Sequence, residues 1–331
     1  MILKQLKSNK PVNLLIFPVI ALLFWLNNLL HPFSYQFLSG DGNTVLFGFI
    51  NRITSEHAFI RVAVSLVLIL FIATAIQVIN NRYSFIYIRS KLPATLFVII
   101  VSGLTSLHTL LPVFPAALFM LFALFNLFGI FEETKPYSSI LNTGIFLGIA
   151  TLFYLNLIFL LPAFIISIAI LSHESNWRNY AILFIGFFLP LIFTFSFAFI
   201  TDQTGEIVSA IAKSFTTPII RFHLTLPMVI FFSFLTLLTL TGSIKIALQY
   251  GSKKVSTRKY FTIFFILFVS SLLTLVLVPG ASLEMLIITA VPVTYLMSNL
   301  FVFMKSKFWS EFLFIVLLAV VIFMQIAEKF I

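Results

Sequence analysis

The sequence contains no cysteine and few charged residues. None of its 331 residues is Cys, and only 9% are Asp, Glu, Lys or Arg, whereas soluble domains carry roughly 25%. The absence of cysteine excludes disulfide bonds, thiolate metal sites and a cysteine nucleophile. The low charge excludes a soluble enzyme, because too few charged side chains are present to cover a surface that faces water.

Apolar residues take the place of charge. They make up 61% of the chain, with 43 Phe among them, and they occur in continuous runs, whereas the strands of a membrane barrel alternate apolar and polar residues. A spanning helix needs about 20 mostly apolar residues. The sequence therefore predicts an all-α fold, a polytopic transmembrane bundle of about eleven helices that forms one integral membrane domain over residues 1–331. The predicted segments are 12–30, 58–79, 93–111, 114–131, 139–154, 156–172, 179–200, 224–247, 260–278, 285–303 and 310–327.

The basic residues predict the orientation of this bundle. With a cytoplasmic N-terminus, 15 of the 20 Lys and Arg residues fall on the cytoplasmic side and five on the outer side. Cytoplasmic loops of membrane proteins are enriched in Lys and Arg, so the pattern predicts a bacterial inner membrane protein. The same enrichment explains the net charge of +10 without nucleic-acid binding. The five outer basic residues are Arg52, Arg61, Lys213, Arg221 and Lys329.

Two short breaks between apolar runs predict one tight hairpin and one turn or re-entry, and a glycine motif predicts one close helix contact. Pro112 and Pro115 separate segments 93–111 and 114–131, which predicts a tight helical hairpin. Segments 139–154 and 156–172 together are too long for one crossing, so the chain must turn or re-enter near 155. The Gly144-x-x-x-Gly148 motif predicts close packing against another helix.

The predicted outer segment 31–57 carries a candidate catalytic acid, Asp41. Asp41 lies between two glycines that let the backbone turn, and apolar positions after it predict a short interfacial helix over 43–54. A carboxylate in this position is suited to act as a general base on an acceptor hydroxyl. The alternative is that Asp41 caps the short helix or forms the turn.

Four other residues are candidates for binding a lipid phosphate. Arg221 and His223 precede the eighth apolar segment and either hold a phosphate or anchor the helix at the interface. Arg61 either binds phosphate or extends toward the membrane surface. His108 lies inside an apolar segment, where polar groups are costly and often functional; its alternative role is a hydrogen bond to a nearby hydroxyl or carbonyl. The His and acid spacings match no metal motif, so we predict neither metal nor cofactor.

Several motifs in residues 1–200 resemble an uncharacterised bacterial multi-pass membrane family that is best known from Bacteroidota. The resemblance implies a location in the inner membrane and no particular activity. The motifs are Asn80-Asn81-Arg82-Tyr83, Arg89-Ser90-Lys91-Leu92-Pro93-Ala94, Gly144-Ile145-Phe146-Leu147-Gly148-Ile149-Ala150, and Trp177-Arg178-Asn179-Tyr180 with Gly186 and Pro190.

The layout also resembles the C superfamily of membrane-embedded glycosyltransferases, which take sugars from polyprenyl-phosphate donors. Those enzymes have a first helix and then an outer loop that carries an acid and interfacial helices, and Asp41 occupies the place of that acid. The chain departs from them because it has no Asp-Glu pair in the loop and no large outer domain. The resemblance implies a glycosyltransferase-like protein that acts at the outer face, with membrane lipids, among them a polyprenyl phosphate, as partners. A non-catalytic scaffold or assembly subunit and a small-solute transporter remain as alternatives.

Overall fold

The described part of the chain is mostly helical. The computed structural model describes residues 3, 6, 15–32, 44, 46–54, 57–86, 90–174, 176–216, 225–278 and 281–328. Over these ranges the chain forms α-helices joined by short turns and 3-10 segments, without a β-strand. The predicted all-α fold class is therefore confirmed. The helices are α1 Ile16–Leu30, α2 Phe47–Thr54, α3 Ala58–Tyr83, α4 Leu92–Val101, α5 Val113–Gly129, α6 Tyr137–Phe153, α7 Leu161–Leu171, α8 Trp177–Ile200, α9 Thr204–Thr216, α10 Leu226–Leu248, α11 Val255–Leu277, α12 Met285–Phe303 and α13 Lys307–Ala327.

The length and composition of the helices make this an integral membrane protein. Among the described residues, seven helices are long and apolar enough to cross a membrane: α3, α5 with the turn after it, α8 and α10 to α13. Four shorter apolar stretches, at α1, α4, α6 and 155–171, accompany them. Continuous helices suit an apolar solvent because each backbone polar group is satisfied within its own segment. Each of the predicted apolar segments overlaps one of these helical stretches.

Side-chain contacts define two ends of the bundle, which we name after Arg61 and Lys253. At the Arg61 end, the start of α3 contacts the segment 102–112, and the end of α13 contacts the same segment. At the Lys253 end, Arg82 near the end of α3 forms an ion pair with Glu132 after α5. The turn that joins α10 to α11 meets the end of α12 there as well.

Helix α4 ends earlier than its apolar run predicts. The run extends to 111, but the helix stops at Val101, and residues 102–112 form a segment that we call the α4–α5 loop. The Ser102 hydroxyl donates to the Val98 carbonyl and so competes for a helical acceptor. Leu104 is extended, and a 3-10 turn follows at Thr105–Leu107. The chain does turn between α4 and α5, but α4 packs on α12, α3 and α1 rather than on α5, so the predicted tight helical hairpin is not formed.

The second predicted break is confirmed. Tyr154 adopts an extended conformation (φ −140°, ψ 100°), which ends α6. The 3-10 segment Leu155–Leu160 follows and leads into α7. Pro162 lies in the first turn of α7, where its missing N–H removes no helical hydrogen bond.

The glycine motif of α6 lies against α8, as the sequence predicts. An added Cβ at Gly144 would be 2.4 Å from the Leu183 carbonyl oxygen, and one at Gly148 would be 2.4 Å from that of Phe187. Gly186 of α8 is equally close to the carbonyl of Leu141. Small residues let the two backbones approach closely, so that packing rather than hydrophobic transfer holds the helices together.

Aromatic rings fill the core toward the Lys253 end. Phe264 of α11 stacks on Tyr295 of α12 with a centroid distance of 4.3 Å. Phe85 contacts Phe128, Tyr260 and Tyr295 at centroid distances of 5.0 to 5.2 Å. Edge-to-face contacts of this kind are favourable beyond the area that they bury, and they hold α5, α11 and α12 to the end of α3.

Candidate functional site

The structure describes two of the five predicted site residues, Arg61 and His108. Asp41, Arg221 and His223 lie outside the described residues, so their roles stay predictions. The short helix predicted over 43–54 is present as α2 and begins at Phe47. Thr44, three residues before this helix, is attached to the bundle, since its hydroxyl donates to the Phe153 carbonyl over 2.9 Å.

Arg61 lies in the first turn of α3, and its guanidinium points into the protein. Only 6% of the residue is exposed. Its Nη1 donates to Asn51 Oδ1 of α2 over 2.6 Å, and its Nη2 donates to the Leu110 carbonyl over 2.8 Å. One cation therefore fastens the short helix and the α4–α5 loop to α3. Hydrogen bonds from a charged donor are stronger than neutral ones.

His108 of the α4–α5 loop is fully buried against Trp25 of α1. The two rings stack with a centroid distance of 3.7 Å and an interplanar angle of 16°. Neither ring nitrogen makes a hydrogen bond of normal geometry, although the Ser102 carbonyl is close enough to interact with the ring. The Thr109 hydroxyl beside it is also buried without a hydrogen-bond partner. Buried polar groups without partners are uncommon and usually mark a bound water, a ligand or a functional role.

The fold brings Arg61 and His108 into one cluster. Arg61 binds the carbonyl of Leu110, two residues after His108. The indole nitrogen of Trp25 donates to Ser65 Oγ over 3.3 Å, and Ser65 lies one helical turn after Arg61 on α3. Two of the predicted site residues are thus neighbours through the same loop and the same face of α3.

The end of α13 completes this cluster through residues that the site prediction did not include. The Glu328 carboxylate accepts from the Thr105 hydroxyl over 2.7 Å and from the backbone N–H groups of Thr105 and Ser106. Gln325 Nε2 donates to the Ser102 carbonyl over 2.6 Å. The sequence signal for Gln325 and Glu328 is their position as isolated polar residues at the end of a long apolar run. Such residues usually face other protein groups.

Asn28 of α1 joins the same loop from the other side. Its Nδ2 donates to the Thr105 carbonyl over 3.1 Å, and only 3% of the residue is exposed. Together these residues form a partly buried layer at the Arg61 end, which we call the polar layer. Its members are Trp25, Asn28, Asn51, Arg61, Thr105, His108, Gln325 and Glu328.

An apolar cavity of about 320 Å³ lies on the opposite side of the α4–α5 loop. Its walls come from the end of α4, this loop, α10, α11, residues between α11 and α12, and α12, and their polar members are three threonines, Thr236, Thr239 and Thr289. Leu104 and Leu107 form the part of the wall that the loop contributes. The cavity lies in the half of the bundle nearer the Arg61 end, because its walls include the first turn of α12, the last turns of α11 and the second to fourth turns of α10.

The α4–α5 loop therefore has two chemically different sides. Leu104 and Leu107 line the cavity, while Thr105 and His108 belong to the polar layer. One side of this loop is therefore suited to an apolar chain and the other side to a polar group. Among the described residues there is no group of three or more His, Asp or Glu side chains that could hold a metal ion.

Comparison with known protein families gives one match, over residues 42–331. The chain belongs to that family, a family of unknown function (DUF6427). The matched range contains the cavity and the whole polar layer except Trp25 and Asn28 of α1. Comparisons with curated proteins and with solved structures give no match. The resemblance to an uncharacterised family is therefore confirmed, and the resemblance to glycosyltransferases stays a prediction.

Proposed function

We propose that this protein binds a lipid-linked substrate at the Arg61 end and transfers its sugar, as a glycosyltransferase-like enzyme of the bacterial inner membrane. The observation that carries the proposal is the α4–α5 loop, which lines an apolar cavity on one side and a polar layer on the other. In the proposed topology the chain crosses the membrane eleven times from a cytoplasmic N-terminus. The Arg61 end then faces the outside, where a polyprenyl-phosphate sugar donor would bind.

The cavity supports a hydrocarbon chain as the apolar part of the substrate. Its walls are aliphatic and aromatic side chains with three threonines. Because the surrounding bilayer is as apolar as the cavity, a chain gains little from hydrophobic transfer and is selected mainly by shape and packing. A branched polyprenyl chain differs in shape from the straight acyl chains of bulk lipid, so the cavity can distinguish the two.

The polar layer supports a head group beside this chain. In the proposal Asp41 is the base, and Arg221 and His223 hold the phosphate with charge-assisted hydrogen bonds. Arg61 and His108 form the inner wall of the head-group site. The bonds from Arg61 to Asn51 and Leu110 hold α2 and the loop in place, so a phosphate that reaches Arg61 displaces one of these acceptors.

Filling the cavity tests whether a specific lipid is bound. Leu235 of α10 lines the cavity, and Leu237 of the same helix is 56% exposed to the surroundings of the bundle. We expect native mass spectrometry of gently extracted protein to show one polyprenyl phosphate, which Leu235→Trp lowers about tenfold and Leu237→Trp leaves unchanged. Equal retention by both variants, or bulk phospholipid alone in the unmodified protein, would reject the proposal.

Substitution of Asp41 tests the chemical step separately. We expect Asp41→Asn to abolish sugar transfer and complementation without lowering the amount of folded protein, because an amide cannot accept the hydroxyl proton. Asp202, an exposed acid at the same end of the bundle, supplies the matched control Asp202→Asn, which should stay active. Full activity of Asp41→Asn would remove the base from the mechanism while leaving lipid binding intact.

A small-solute transporter is the second candidate, and the early end of α4 favours it. Transporter sites are often formed where a helix is interrupted inside the bundle, and His108 and Thr109 lie buried in such an interruption. In a transporter, His108→Phe would stop uptake into proteoliposomes and leave lipid retention unchanged. A non-catalytic scaffold would instead show neither uptake nor a specific lipid, and would co-purify with a reproducible protein partner.

A further inference from the structure

We infer that the Lys253 end carries a second binding site, for a phosphate group, between the turn that joins α10 to α11 and the end of α12. The site is separate from the cavity and the polar layer, which lie at the other end of the bundle. It does not depend on the proposed function. The inference rests on the contacts of one lysine, on the buried amide beside it and on a second buried amide of α3.

Lys253 is held in a partly apolar niche. Its Nζ donates to Asn299 Oδ1 over 2.7 Å. The same ammonium group lies 4.5 Å from the ring centroid of Phe303 and 5.2 Å from that of Phe261. Cation–π contacts compensate in part for the water that the ammonium group has lost, but they supply no negative charge.

Asn299 places a second donor beside this ammonium group. The residue is fully buried, and its Nδ2 has no hydrogen-bond partner. The oxygen and nitrogen of one carboxamide are bonded to the same carbon, so Nδ2 lies within about 5 Å of Lys253 Nζ. An amide N–H₂ group and an ammonium group therefore lie close together.

A second buried amide, Asn80, lies at a similar level of the bundle. The Tyr295 hydroxyl donates to the Ile76 carbonyl over 2.8 Å and thereby ties α12 to α3. Both helices run toward the Lys253 end, and Asn299 and Asn80 each lie one turn beyond this contact. Asn80 is 1% exposed, and neither side-chain atom has a hydrogen-bond partner. Buried amides without partners are costly in a membrane protein unless a bound group satisfies them.

The surrounding charge is positive. Arg258 donates its Nε to the Lys253 carbonyl over 2.8 Å, and Lys254 is the next residue. Burial of the ammonium group and, to a smaller extent, the positive charge of Lys245 lower the pKa of Lys253 to about 8. Glu132, an acidic residue at the same end of the bundle, pairs with Arg82. A phosphate oxygen would supply the missing acceptor and the missing negative charge.

The position of the site agrees with a phosphate at the membrane surface. The turn follows the last residue of one apolar helix and precedes the first residue of another. Phosphate groups reach this level either as lipid headgroups or as free phosphate, and both offer the same oxygens. Basic pockets between membrane helices are known to bind anionic headgroups on the cytoplasmic side, which is where the proposed topology places this end.

The test compares two adjacent lysines. The full-length protein is reconstituted in nanodiscs of phosphatidylglycerol or of phosphatidylcholine, and retained lipid is counted by native mass spectrometry. A parallel thermal-shift titration uses inorganic phosphate in neutral detergent. We expect Lys253→Gln to weaken phosphate-group binding about tenfold, and Lys253→Arg to restore most of it. The exposed neighbour Lys254 supplies the control Lys254→Gln, which should bind as the unmodified protein does.

The two arms identify the source of the phosphate. Retention of phosphatidylglycerol without a shift by inorganic phosphate assigns a lipid headgroup, and a saturable shift by inorganic phosphate assigns the free ion. Equal binding by Lys253→Gln and Lys254→Gln, or no binding in either arm, would overturn the inference. Asn299→Leu is the second variant, and it should lower binding in the same arm as Lys253→Gln does.

Discussion

The two ends of the bundle are both rich in apolar residues, but these residues pack differently at each end. At the Lys253 end, rings from α5, α11 and α12 interlock, with the centroids of Phe264 and Tyr295 only 4.3 Å apart. At the Arg61 end, α4 stops at Val101, a loop takes its place, and a cavity of about 320 Å³ is left beside it. Hydrophobicity alone therefore does not decide where a membrane protein has a packed core and where it has a site.

Packing geometry makes the difference between the ends. Side chains in a bilayer gain little by leaving lipid for protein, so helices associate where their shapes fit. Flat aromatic rings fit well around Phe85 at one end. At the other end, polar groups of distant segments form hydrogen bonds with each other. Glu328 accepts from N–H groups of the α4–α5 loop, and Gln325 donates to a carbonyl freed by the end of α4. The loop is held by hydrogen bonds, and the space next to it stays open.

The largest expected effect separates the two ends directly. Phe264→Ala removes a fully buried ring from the aromatic core and should lower the free energy of unfolding by about 3–5 kcal/mol. Phe231→Ala removes a ring that already borders the cavity, so fewer contacts are lost and the cost should be clearly smaller. Thermal unfolding in a mild detergent measures both. Equal losses would show that the cavity wall is packed as tightly as the aromatic core.

Two glycine substitutions compare a tight helix contact with the wall of the cavity, by the addition of a single methyl group. At Gly148 an added methyl group meets the backbone oxygen of Phe187, which cannot move alone, so Gly148→Ala should cost about 3 kcal/mol. At Gly103 it meets the ring of Phe231 at 2.7 Å, and that ring can shift into the cavity, so Gly103→Ala should cost about 1 kcal/mol. Gly251→Ala is the control, since an added Cβ there has open space. The reverse order of the first two costs would contradict this account.

The smallest expected effect is a pH dependence at the Lys253 end. Burial, with a smaller contribution from Lys245, lowers the pKa of Lys253 to about 8 from its ordinary value of 10.5. Between these values the unfolded chain binds more protons than the folded chain, so stability should rise with pH from 8 to 10.5. Because Lys253 is only half-buried, we expect a rise in the unfolding midpoint of about 2 °C.

Lys253→Gln should abolish this rise, and Lys254→Gln should keep it. Bound phosphate should diminish it as well, because a nearby negative charge favours the protonated lysine and brings its folded-state pKa back toward the ordinary value. A midpoint that falls over this pH range in the unmodified protein, but not in Lys253→Gln, would contradict the assigned sign.

The sequence by itself determined the class and the segmentation of the fold. Continuous apolar runs require helices in a membrane, and their lengths predict segments that overlap the observed helical stretches. The Gly144-x-x-x-Gly148 motif predicts a close helix contact, and the excess length of 139–172 predicts the turn near 155. These features follow from composition and spacing along the chain, which are local properties.

Only the tertiary structure decided which polar residues meet and where space is left. Glu328 binds Thr105 from 223 positions away, and Trp25 stacks on His108 from a different helix. The early end of α4 is also a tertiary outcome, because Gln325 and Glu328 satisfy the backbone groups that the missing helical turns would have paired. Hydropathy cannot foretell such meetings, since lipid and protein interior are equally apolar and the arrangement of helices depends on shape and on hydrogen bonds between distant segments.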